Sequence, residues 1–164
     1  MQFNKIIFLL IFFLILNFNK ALSKENKILL KLNNEIITTV DILNEIKFLS
    51  IINSQFKNID KNKKIEIAKN SLIKQKIKFI ELSKLRQNIE LEDNVFEEVA
   101  INYFRNLKIN NIENLEIFFE KENLNIEFIR KKISINTYWN QLIYNKFSKN
   151  VKINKAEIEK ALKN

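Results

Sequence analysis

Two places along the chain hold carboxylates close enough in sequence to suggest acid–base work: Glu97 beside Glu98, and Glu120 two residues before Glu122. A general acid and a general base must converge on one substrate. On a helix, neighbours one apart do not share a face and neighbours two apart point to nearly opposite sides, so neither pair converges. No other polar cluster joins them. The chain contains no His and no Cys, which removes most metal sites, every Ser-His and Cys-His nucleophile and the usual proton shuttle near neutral pH. It also contains no Gly, so the phosphate-cradling loops of nucleotide-binding folds are missing. The expectation is a protein that is not an enzyme, with no catalytic residue, no metal and no cofactor.

What remains is apolar surface and lysine. The net charge is +9, yet only three residues are Arg, the side chain best suited to bidentate phosphate contacts. Lys, Asn and Ile together supply nearly half of the chain, as a coding bias toward A- and T-rich codons would produce. The basic residues are spread along helices among Glu rather than gathered in one patch, which argues against nucleic acid and for a solvated surface. A weak attraction to anionic membrane surfaces stays open.

The elements that must present this surface follow from periodicity. Ile28–Asn33 and Glu35–Thr38 are short β-rich runs around Asn33-Asn34, a hairpin signal. Thr38-Thr39-Val40-Asp41 resembles a capping box, and Ile42, Leu43, Ile46, Leu49 and Ile52 follow at helical spacing, predicting a helix to about Phe56. A second, broad-faced helix is predicted over Lys61–Arg86, with Leu72, Phe79 and Leu82 on one flank and Ile73, Ile77 and Ile80 widening it. Further helices are predicted over Glu92–Lys108, Ile112–Glu122, Ile126–Phe147 and Lys155–Lys163. Asn88 and Asn123 stand where helices must stop, because Asn enters the left-handed region at modest cost, while Asn111 and Asn125 stand at helix starts.

Ahead of the hairpin, Lys5 precedes an apolar run from Ile6 to Leu16, and Ala21-Leu22-Ser23 offers small residues three apart. That outline is a signal peptide over residues 1–23, cut before Lys24, because the apolar run is too short for a bilayer span of roughly 20 residues. The expected location is the periplasm. The alternative is an uncleaved anchor holding the domain at the inner membrane. Residues 24–164 read as one domain, with no internal repeat and no low-complexity linker.

With these elements in order, three strings resemble the N-terminal domain of SurA, the periplasmic chaperone and peptidyl-prolyl isomerase of Gram-negative bacteria. Leu32 through Asp41 resembles the hairpin and capped helix, Leu72-Ile73-Lys74-Gln75-Lys76-Ile77 the long-helix signature, and Glu122-Asn123-Leu124-Asn125 through Phe128 and Lys132 the later helices. The resemblance covers nearly the whole of residues 24–164 and implies a mainly α fold, a multi-helix orthogonal bundle with a small N-terminal β-hairpin. It implies an ATP-independent holdase for unfolded outer-membrane proteins or their aromatic-rich segments. The residues implied to touch such peptides are Phe118, Phe119, Phe128 and Trp139, each with core packing as the competing role. The family continues into parvulin domains after the region matching Lys152-Ile153-Asn154, and this sequence does not show them, so isomerase activity is not implied. The family also completes this domain with a distant C-terminal segment, which leaves part of a groove either open or filled by a second copy or a partner chain. The alternative function is therefore an assembly subunit of the envelope that docks one dedicated partner.

Overall fold

The computed structural model describes residues 26–150. The expected signal peptide and the helix expected over Lys155–Lys163 lie outside the described residues. Two short runs rich in Ile and Leu make the first element, an antiparallel pair of strands, β1 (Ile28–Leu32) and β2 (Glu35–Thr38), with Leu30 opposite Ile37 and Leu32 opposite Glu35. The turn between them is closed by Asn33, at φ 52°. This is the left-handed conformation that Asn tolerates better than most residues.

Five α-helices follow among the described residues: α1 (Thr39–Ile52), α2 (Lys61–Ser83), α3 (Asp93–Tyr103), α4 (Ile112–Lys121) and α5 (Ile126–Phe147). The chain is mainly helical with one small N-terminal hairpin, as its periodicity predicts. The capping box at the start of α1 is complete: Asp41 N–H donates to Thr38 Oγ1 at 3.2 Å, and Thr38 N–H donates to the Asp41 carboxylate at 2.8 Å. Asn111 and Asn125 cap α4 and α5 through the backbone N–H groups of Asn114 and Glu127.

Three helix ends fall earlier than periodicity alone suggests, each for a local reason. Helix α1 stops at Ile52 rather than near Phe56, because Asn53 turns extended and its side chain accepts from Gln55 N–H. That opens a 3-10 turn, Ser54–Asn58, which buries Phe56. Helix α2 stops at Ser83 rather than Arg86. There the Arg86 guanidinium stacks 3.5 Å from the centre of the Tyr138 ring on α5, drawing the chain across, and Asn88 makes a turn through its side chain to Glu90 N–H without left-handed backbone. Helix α3 ends at Tyr103, and the stretch to Lys108 continues as a 3-10 turn, Arg105–Leu107, with Lys108 itself at φ 58°.

Asn123 does act as a left-handed stop. Its φ is 54°, its N–H donates to Glu120 O, and Leu124 N–H reaches back to Phe119 O at 2.8 Å. This is the Schellman arrangement, and the apolar contact that usually accompanies it is present, since Phe119 and Leu124 share one core cluster.

Two clusters form the interior among the described residues. The larger joins Phe48 of α1, Phe96 and Ala100 of α3, Leu115 and Phe119 of α4 and Ile129 and Ile133 of α5, with Phe104 edge-on to both Phe48 and Phe119. The smaller joins Ile37 of the hairpin, Ile42 of α1 and Ala68 and Leu72 of α2. Leu49 packs against both clusters and links them.

Candidate functional site

Helices α1, α2 and α5 meet at a buried ion pair. Lys132 Nζ on α5 lies 2.7 Å from Glu45 Oε2 on α1, and Ser71 Oγ on α2 donates to the other Glu45 oxygen at 2.6 Å. Glu45 is fully buried and Lys132 nearly so. The Lys132 ammonium also faces the rings of Phe48, at 4.8 Å, and Phe128, at 5.9 Å. Every polar atom that leaves water here gains a partner, which is the condition for such a pair to be tolerated inside. Gln75 of α2 donates to the Lys132 carbonyl, and Lys78 donates to Asn136 Oδ1 at 2.8 Å, so the α2–α5 seam is laced by side chains rather than sealed by close apolar contact.

The seam opens into a cleft. A small hollow of about 130 Å³ lies over Leu72, Phe79, Phe128 and Ile135, with Asp41, Gln75, Lys76, Lys131 and Lys132 around them. A wider one of about 390 Å³ shares Phe79, Lys131 and Ile135 with it and runs past Ser83 to Asn88, Ile89 and Glu90. Its floor is aromatic and aliphatic while its rim is mostly long, solvated side chains. Lys131 holds its ammonium 4.8 Å from the centre of the Phe79 ring. Burial, and then the positive charges of Lys132 and Lys74, hold the Lys78 ammonium below the usual lysine range.

Of the four aromatic residues expected to contact peptide, Phe118, Phe119 and Phe128 pack in or against the larger core cluster rather than on one open surface, and Trp139 is not part of that cluster. Phe128 lines the small hollow. Phe118 is half-buried against the larger core and meets Phe119 edge-on at 5.4 Å. Phe119 is 0% exposed and offers nothing to a ligand; its expected binding role is corrected to that of a core residue, because the Schellman turn folds Leu124 over it. Trp139 is half-buried farther along α5 and lines none of the hollows of the cleft. Phe79, Lys131 and Ile135 line both hollows, and none of them was among the residues expected to contact peptide. Phe79 carries a readable signal, being an aromatic at the border of an unusually broad apolar face.

Glu97, Glu98, Glu120 and Glu122 are all exposed, and no group of three or more potential metal-ligating side chains occurs among the described residues. Comparison with family models, with curated proteins and with solved structures returns no match.

Proposed function

We propose that this chain is an ATP-independent holdase that keeps unfolded outer-membrane polypeptides soluble in the periplasm by taking their apolar segments into the α2–α5 cleft. The observation that carries the reading is that the three strings resembling the SurA N-terminal domain converge on one place. Asp41 comes from the first, Leu72, Gln75 and Lys76 from the second, and Phe128 and Lys132 from the third, and all six line the same small hollow.

The chemistry of the cleft suits the task. An apolar floor with a polar rim of mixed charge imposes no single sequence, and the exposed Lys131 can adapt to different clients. Burying two or three apolar side chains of a client contributes about 4 to 8 kcal/mol before the cost of ordering it. Affinity is then about micromolar or weaker, which permits release without an energy source. The exterior is also far from uniformly polar, with Ile77, Leu85 and Tyr144 among the exposed large apolar residues.

The test is light scattering from several unrelated barrel proteins diluted out of denaturant. The holdase reading expects near-stoichiometric protein to suppress aggregation of all of them. Suppression of none, together with one stable complex recovered from the envelope, would instead make this chain a subunit with one dedicated partner.

A further inference from the structure

A second apolar region lies at the opposite end of α2, where the hairpin, α1 and the first turns of α2 come together. A hollow of about 450 Å³ is lined by Leu29, Leu43, Ile46 and Ile65, and Lys61 and Lys64 stand among its walls. Leu29 is 48% exposed and Leu43 and Ile65 are each 38% exposed, so large aliphatic side chains meet water here. Three lysines, Lys61, Lys63 and Lys64, occupy the first turn of α2, with Lys57 just before it.

Lysine is the wrong charge for that place. The start of a helix carries partial positive charge, so cations in the first turn oppose folding. Asp60 is occupied as the N-cap, accepting from the backbone N–H groups of Asn62 and Lys63, and Glu66 on the next turn forms no ion pair among the described residues. Lys61 and Lys63 have no carboxylate within ion-pair distance among the described residues. Lys64 donates to the Lys57 carbonyl and so adds its charge to the same spot. An aliphatic surface bordered by lysines that outnumber the nearby carboxylates is complementary to a layer whose interior is hydrocarbon and whose surface is anionic. No described helix is long and apolar enough to cross a membrane.

We infer that this face docks the protein onto anionic lipid bilayers, with Leu29, Leu43 and Ile65 entering the headgroup boundary and Lys61 and Lys64 pairing with lipid phosphates. The inference uses a different surface from the α2–α5 cleft and stands or falls separately from the holdase reading. Peripheral binding of this type requires two weak signals together, because neither a few aliphatic side chains nor a few lysines holds a protein at a membrane alone.

The absence of cysteine permits single-site labelling of the full chain. An environment-sensitive fluorophore is placed on Leu43→Cys, on Ile65→Cys, and on Leu85→Cys as a control. Leu85 is 66% exposed and lies just past the far end of α2, which spans about 27 Å from Ile65 to Ser83. The probes are read against phosphatidylcholine vesicles with and without about 30 mol% phosphatidylglycerol, both carrying nitroxide-labelled lipid as quencher. The expected result is quenching at positions 43 and 65 on anionic vesicles only and none at position 85. Adding Lys61→Gln and Lys64→Gln should lower the apparent vesicle affinity on the order of twentyfold. Equal quenching at all three positions, or an affinity unchanged by the two substitutions, overturns the inference. So does shielding of the position 43 probe by an unfolded barrel protein with no response to vesicles, which would make this face a second peptide site.

Discussion

At the scale of single residues, the Lys132–Glu45 pair decides how the three helices around the cleft are held. Its members are 87 positions apart in sequence and both buried, so removing one strands the other. Lys132→Ala is expected to cost about 3 to 5 kcal/mol of unfolding free energy. The joint replacement Glu45→Leu with Lys132→Met should recover most of that loss, since an apolar pair leaves no buried charge, although Ser71 loses its acceptor. Urea unfolding of the unsubstituted protein, Lys132→Ala and the double variant checks it. The left-handed stop after α4 allows a sharper contrast. Asn123→Ala should lower stability by about 1 kcal/mol while Asn123→Gly should not, because only the Cβ of alanine is penalised at that φ. Equal losses in the two variants would mean that the Asn side chain, rather than the backbone conformation, holds the turn.

At the scale of elements, helix starts were legible and helix ends were less so. Thr38, Asn111 and Asn125 cap the helices that their positions predict, because a cap is a local contact between a short side chain and a backbone N–H a few residues on. The end of α2 depends instead on Arg86 finding Tyr138, a partner 52 positions away that no local pattern encodes. The same limit governed the candidate site. Periodicity marks Phe79, Phe119 and Phe128 alike as apolar, and only the packing of α4 beneath its Schellman turn makes Phe119 interior while Phe128 reaches a hollow. The two kinds of aromatic should separate on substitution. Phe119→Ala, a core deletion, is expected to cost about 3 to 5 kcal/mol. Phe79→Ala should cost less than half of that, yet reduce client capture by folded protein several-fold. Chemical unfolding followed by an aggregation assay at matched folded fraction distinguishes them.

At the scale of the whole molecule, the two interior clusters meet through Leu49, and the buried ion pair ties the helices of one to the helices of the other. That linkage lets the α2–α5 seam stay open without the molecule coming apart, because the helices on either side are fixed from beneath. The central claim is that this open seam receives the apolar segments of unfolded polypeptides. Its most direct test is photo-crosslinking from single positions in the full chain, with the photoreactive residue at Phe79, Phe128, Phe119 or Tyr144 and several unfolded barrel proteins supplied in turn. The account predicts adducts with every client from positions 79 and 128, few from the exposed Tyr144 and none from the buried Phe119. Adducts that form at Tyr144 as readily as at the cleft, or none at either cleft position while aggregation is still suppressed, would contradict it.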